Sequence, residues 1–234
     1  MADKDILEAA KEDFARCEDA EEDNRRLWLD DMKFARLGEQ WPEETKKKRE
    51  SEGRPCLTIN RLPSFIRQVT NDARQNKPAI KCHPVDDDAS EETAEILNGL
   101  IRCIEYASSA DIAYDTALDH AVTSGYGYFR ICTDYASNDA FEQDIKIERI
   151  VNPLNVWGDP TSVSADSSDW NLAFVSDMMK AEEFKRKYPD AKALDFKSSK
   201  SDNDDKWYSG EKVRIAEYWT REEVKRTLYK LSDG

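Results

Sequence analysis

The apolar residues of this chain change their dominant period near Ser124. Before it they recur mainly at steps of three and four, and from Gly125 onward they mainly alternate. The first step places side chains along one stripe of an α-helix, and the second places them on one face of a strand. A chain with helices first and strands afterwards does not build the regular strand–helix alternation of a parallel sheet. The expected class is therefore α+β, N-terminal helices followed by a small, mainly antiparallel sheet.

Within the helical part, Ile6, Ala10, Phe14, Cys17, Leu27, Trp28 and Phe34 predict one long helix over residues 3–37. Its stripe thins between Ala20 and Asn24, where a break is expected. Twelve Asp or Glu and five Lys or Arg between Asp3 and Asp31 keep its other faces in water. Two roles fit such a helix, docking on a core or reaching a neighbouring subunit as a lateral arm. Gly38–Arg54, with Trp41-Pro42 and EETKKKRE, reads as a loop, and Pro55–Ile59 as a short extended piece. Asn60 caps a helix that begins near Pro63 and presents Leu62, Phe65, Ile66, Val69 and Ala73 on one face. Ala79–Val85 alternates as a strand. Ser90 with Glu91 and Glu92 marks a further helix start, followed by Ile96, Leu97, Leu100, Ile101 and Ile104. The last helix of this part spans Ser109–Ser124.

The strand-rich part begins with a turn and strand over Gly125–Tyr135 and a second strand over Gln143–Val151. Gly125 and Gly127 permit the sharp helix-to-strand turn. Asn152–Ser162 is turn-rich, and Pro153, Trp157, Gly158 and Pro160 are expected to fix it. Leu172–Met178 reads as a strand, Lys180–Tyr188 as a short helix closed by Pro189, and Ser198–Asp205 as a polar loop. Val213–Thr220 and Val224–Leu231 read as a hairpin. The organisation predicted is a helical arm over 1–40 and a second region over 41–234. That region has a helical part at about 60–124 and a strand-rich part at about 125–234. A chain that ends on SDG directly after a strand is expected to continue beyond Gly234.

Charge narrows the function classes. The net charge is -14 and Lys and Arg number 35 against 49 Asp and Glu, so the chain repels a phosphate backbone and sequence-specific DNA binding is not expected. Acidic walls would suit a passage through which DNA slides without being gripped. Five widely spaced cysteines, Cys17, Cys56, Cys82, Cys103 and Cys132, fit free thiols in a reducing cytosol. Met1–Ala20 has no apolar core run of a signal peptide, and no stretch is long and apolar enough for a membrane span.

Motifs for chemistry are mostly missing. His83 and His120 are the two histidines, and neither has a ligand partner at a useful spacing, so no metal site is expected. Ser124-Gly125 and Ser209-Gly210 lack the flanks of a nucleophile elbow. GYGYF at Gly125–Phe129 lies between helix and strand, the reverse of a dinucleotide loop. Asp86–Asp88 and Asp202–Asp205 lack the alternating ligands of a calcium loop, and they read as a helix cap and a solvated loop. No catalytic residue, cofactor or metal is assigned. Lys46–Arg49 is flanked by Glu43, Glu44, Glu50 and Glu52 and reads as self-neutralising.

Ile59–Pro78 (INRLPSFIRQVTNDARQNKP), Ala117–Tyr135 (ALDHAVTSGYGYFRICTDY), Ile145–Ser162 (IKIERIVNPLNVWGDPTS) and Val213–Trp219 (VRIAEYW) stand in a characteristic order, with Phe184–Tyr188 between the last two. In order and approximate spacing they resemble the portal proteins of short-tailed double-stranded DNA phages, the Salmonella podovirus type. The resemblance runs from about Trp41 to the end. Before that, the chain resembles the family only in being helical and charged. It implies a non-enzymatic subunit of a closed, usually twelve-fold ring at a capsid vertex, the conduit for genome packaging and ejection. Implied partners are other copies of the chain, a separate terminase ATPase, capsid and scaffolding proteins, tail adaptors and the passing DNA, with no membrane and no cofactor. Implied locations are the host cytoplasm during assembly and then the virion. The matching region corresponds to part of the outer wing, and the chain stops before stem and clip.

A closed ring needs two different patches on each copy. The expected ones are the arm, with Trp28, Phe34 and Trp41, and the basic helix, with Arg67 and Arg74. Ordinary packing is the other reading for Trp41. Two alternatives to the ring subunit are a metal-dependent nuclease or hydrolase using Asp and Glu, and an acidic scaffold or adaptor module built on the first helix.

Overall fold

The computed structural model describes residues 3–77, 79–85, 90–137, 139–164, 166–191, 207–208 and 210–226. In chain order the elements are α1 (Asp3–Met32), a π-helical turn (Lys33–Leu37), α2 (Glu43–Ser51), α3 (Leu62–Gln75), α4 (Glu91–Ser108), α5 (Ala110–Ser124), β1 (Phe129–Tyr135), β2 (Gln143–Arg149), a 3-10 turn (Pro153–Asn155), β3 (Val156–Gly158), β4 (Leu172–Lys180), α6 (Ala181–Lys187) and β5 (Lys212–Thr220). The class is α+β, with helices leading and small antiparallel sheets following. The chain divides into two units that interleave in sequence, one from 1–23 with 154–234 and one from 24–153.

The first unit is built on the three-stranded antiparallel sheet in the order β3-β4-β5. Its long ladder runs from Leu172↔Thr220 to Lys180↔Lys212. Phe14 and Cys17, one helical turn apart on α1, are 1% and 0% exposed and pack with Trp157 and Phe174. Phe14 meets the Trp157 ring at 4.8 Å and the Phe174 ring edge-on at 5.3 Å. Each such burial contributes about 1.5–3 kcal/mol relative to exposure. Polar bonds fix the helix in register. The Tyr218 hydroxyl donates to Asp13 at 2.5 Å, and the Gly158 N–H donates to Glu21 at 2.9 Å. Burial first, then the bond to Asp13, pushes the Tyr218 hydroxyl up to about 12, so it stays a donor.

The second unit is organised around α5. Ala110, Ala113 and Ala117 are buried, and their small side chains let neighbours approach closely. Ile147 of β2 packs on Ala110 and Ala113, with Ile104 and Tyr114 beside them. The hairpin β1–β2 is antiparallel from Phe129↔Arg149 to Tyr135↔Gln143. One of its faces is laced by the pairs Arg130–Glu148 at 2.7 Å and Lys146–Asp134 at 2.6 Å. α3 is joined to α5 through Arg74–Asp115 at 2.8 Å, and the turn after it through Lys77–Asp111 at 2.6 Å.

Several sequence expectations need correction. Residues 43–51 form a helix, not a loop. Pro42 precedes it, Glu43 and Glu44 open its first turn and Lys48 and Arg49 close its last, so its ends complement the helix dipole although it buries nothing. The first helix has no break at Ala20–Asn24; it runs to Met32 and continues as the π turn. Ala79–Val85 joins no ladder, because its backbone is held by a side chain of α4. The loop at Asn152–Ser162 contributes the short strand β3, whose three residues are all buried. Among the described residues β5 pairs with β4; residues 224–226 are not strand, and 227–231, the rest of the expected hairpin strand, lie outside the described residues. Asp86–Asp88 and the segment Ser198–Asp205 also lie outside them.

Candidate functional site

Concave chemistry is sparse. Among the described residues no group of three or more His, Cys, Asp or Glu is placed to hold a metal ion. A shallow cavity of about 250 Å³ is lined by Ser108, Ser109, Ile112, Ala113, Ile147 and Arg149, with no acid–base pair in it. His83 is exposed, whereas His120 is buried on α5 with Nε2 at 3.2 Å from the Val151 carbonyl oxygen. Burial, then the nearby Arg36 guanidinium, holds the imidazole below its ordinary value. The cysteines are all free thiols, and burial first pushes Cys17 up to about 12, which makes it inert. No helix among the described residues is long and apolar enough to cross a membrane.

The residues expected to face neighbouring copies differ in placement. Trp28 is 5% exposed and packs within its own chain. Its Nε1 donates to the Tyr126 carbonyl at 3.3 Å, and its ring lies 5.7 Å from that of His120. Phe34, on the π turn, is 45% exposed. Trp41 is half-buried, donates to the Leu57 carbonyl at 3.3 Å and carries the Arg49 guanidinium at 5.0 Å from its ring centre. Arg67 is exposed, and Arg74 is engaged with Asp115.

The tight turns have direct steric causes. Gly125 has φ +93°, and its N–H donates to Ala121 at 2.9 Å to close α5. A Cβ on Gly127 would lie 2.1 Å from the Ala117 carbonyl oxygen, and one on Gly158 would lie 2.3 Å from the Trp170 ring. Pro153 is fully buried, Trp157 lies in the first unit's core, and Pro160 is exposed on the turn after Asp159. Burial pushes the Asp159 carboxyl up, but bonds from Thr161 and Asn171 outweigh it and leave it below its ordinary value.

What the period alone does not reveal is how much apolar surface remains uncovered. Leu57 and Ile59 are 77% and 79% exposed, Phe65 and Val69 on α3 62% and 52%, and Ile96 and Leu100 on α4 64% and 51%. The signal for α4 was present in the sequence. Its apolar residues cover a wider arc than one core-facing stripe needs. Where such side chains adjoin, they form the kind of surface that other polypeptide covers.

Comparison with known proteins gives these surfaces a context. The sequence profile of the family described as "Phage P22-like portal protein" matches residues 11–234. A curated relative named portal protein, from Acyrthosiphon pisum secondary endosymbiont phage 1, is 32% identical over 222 residues, which covers 91% of this chain and 30% of the relative. The chain thus spans under a third of the length of the relative it matches.

Proposed function

Because the chain belongs to the phage P22-like portal protein family, a family of structural non-enzymes that form ring oligomers, we propose that it is a wall segment of the ring at a capsid vertex through which the genome is packaged and ejected. The observation that carries this reading is the match over residues 11–234, in a chain whose described residues leave so many large apolar side chains exposed. A ring subunit needs such surface, because each copy is completed by its neighbours.

In this reading the ring is closed and twelve-fold. A separate terminase ATPase, capsid and scaffolding proteins and tail adaptors are its further partners. Assembly takes place in the host cytoplasm, and the finished ring belongs to the virion. The net charge of -14 supports DNA passage without sequence-specific contact. Phe34, Trp41 and Arg67 contribute to the faces presented to neighbours. Trp28 and Arg74 hold the π turn and α3 in position from behind.

The test is the mass and shape of the full-length protein. Light scattering and electron microscopy should show closed ring particles, and the protein should hydrolyse neither nucleotide nor DNA. A full-length protein that stays monomeric at high concentration would overturn the reading.

A further inference from the structure

Two strand edges in residues 24–153 stand open, and no hydrogen bond joins them within one copy. The first belongs to residues 54–61, which run between α2 and α3 with no helix, turn, bend or ladder. Arg49 donates to the Pro55 carbonyl at 3.0 Å, and Trp41 Nε1 donates to the Leu57 carbonyl at 3.3 Å. In an extended chain, residues two apart turn their backbone groups to the same edge. Arg49 and Trp41 therefore occupy one edge and leave the N–H and C=O of Cys56 and Thr58 on the other, where no described residue bonds them. Asn60, donating to the Ala35 carbonyl at 2.6 Å, pins the far end of the segment. The second edge is that of β1. The Ile147 N–H donates to the Ser108 hydroxyl at 3.1 Å, outside the ladder, so its partner Ile131 also turns its backbone groups outward. Phe129 and Thr133, two residues away on either side, do the same. The sheet of β1 and β2 has two strands, so no third strand covers this edge among the described residues. The next outward N–H, that of Tyr135, donates to the Asp134 carboxylate at 2.9 Å.

We propose that residues 56–58 of one copy add to the open edge of β1 in the next copy, running parallel to it. The inference rests on the ring reading above and adds a pair of surfaces that closes the ring. A cyclic contact joins two different patches, and these two edges are such a pair. In the parallel course Cys56 and Thr58 donate to the Phe129 and Ile131 carbonyls and accept from the Ile131 and Thr133 N–H groups, four backbone bonds in all. That register sets Leu57 beside Ile131 and Ile59 beside Thr133. Leu57, Ile59 and Ile131 are exposed, and Ile131 shares its face of the hairpin with Ile145 and Ile147, so apolar side chains meet apolar ones. An antiparallel course reverses the faces. It would lay Leu57 and Ile59 along the ion pairs Arg130–Glu148 and Lys146–Asp134 on the hairpin's other side. Charge selects the same course. The turn end of the hairpin exposes Asp139, Glu142 and Asp144, whereas residues 54–71 hold three Arg and no Asp or Glu. Parallel addition brings the exposed Arg61 to the turn end, beside Tyr135, and antiparallel addition would turn it away.

Neighbouring strands lie about 5 Å apart, within disulfide reach. The test uses full-length protein in which Cys56→Ser and Cys132→Ser remove the native thiols nearby. Leu57→Cys with Ile131→Cys, and separately Ile59→Cys with Thr133→Cys, should each give a ladder of covalent oligomers when assembled rings are mildly oxidised. Lys47→Cys with Ile131→Cys should give none. A second readout addresses the backbone. Thr58→Pro deletes an N–H that makes no bond within its own copy, and should raise the concentration needed for assembly by about tenfold. Thr58→Val keeps that N–H and should assemble like wild type. Rings that form without either disulfide, and with Thr58→Pro indistinguishable from Thr58→Val, overturn the strand addition and leave the ring reading standing. Protein that forms no rings under any condition overturns both.

Discussion

Gly127 shows how a single position constrains the chain. The atom that a Cβ would strike is the backbone oxygen of Ala117, which is fixed in α5 and cannot rotate away as a side-chain tip would. Gly127→Ala must therefore push β1 off the helix. Overpacking of this kind costs about 1–3 kcal/mol, so a lowered denaturation midpoint with little change in helix content is expected from chemical unfolding followed by circular dichroism. Asp169 sets a different constraint, one that depends on pH. It accepts from the Val163 and Ser164 N–H groups at 2.7 and 3.1 Å and from the Ser162 hydroxyl at 2.7 Å, and these bonds, the Val163 one foremost, hold it down to about 2. The unfolded carboxyl titrates near about 3.9. The folded value is the lower one, so its stabilisation is present above the unfolded value and is lost as pH falls toward about 2. Denaturant midpoints of wild type and Asp169→Asn should differ most near about pH 6 and draw together as pH falls through about 4 toward about 2. A gap that does not narrow on acidification would refute this account of the Ser162–Asp169 loop. Residues such as Gly127 were legible as turn formers in the sequence. Trp28 and Phe34 were not separable there, since both sit on one apolar stripe and only the neighbours supplied by the fold bury the first.

At the scale of elements, the long periodic segments were legible and the short or unpatterned ones were not. α4 and α5 follow from their apolar spacing and from Ser90, whose hydroxyl accepts from the Thr93 N–H at 3.4 Å. α2 has no apolar stripe to read, since its support comes from its charged ends. Segment 79–85 alternates like a strand, yet its hydrogen bonds run to Asn98 of α4. Oδ1 accepts from the Cys82 N–H at 2.7 Å, and Nδ2 donates to the Cys82 carbonyl at 3.1 Å. One amide side chain takes the place of a ladder, a substitution that periodicity cannot announce. Asn98→Ala removes both bonds while favouring the helix itself. With about 1 kcal/mol lost locally, hydrogen exchange of the Cys82 amide should speed up about fivefold, with the amides of α4 unchanged. Equal acceleration in the segment and in α4 would mean that Asn98 supports the helix and does not clamp the strand-like segment.

Charge is the property of the whole molecule that bears most directly on a conduit for DNA. The net value of -14 acts at long range, but screening confines it to about 8 Å at physiological salt, so local patches decide whether a phosphate backbone can be held. The densest basic run, Lys46–Arg49, has four positive charges, and Glu43, Glu44, Glu50 and Glu52 supply four negative ones within the same short helix and its end. It is neutral over the distance that matters. The α3 surface retains few exposed positive side chains among the described residues, Arg61 and Arg67 among them. Two or three phosphate contacts release too few counterions to hold duplex DNA tightly at that salt. The purified chain should therefore leave the fluorescence anisotropy of a short labelled duplex unchanged at protein concentrations of about 10 µM in about 150 mM salt. A complex tighter than that, weakening steeply as salt rises, would place a phosphate-binding track on this part of the chain. Such a track would count against the proposed role as a wall segment past which DNA slides without being held.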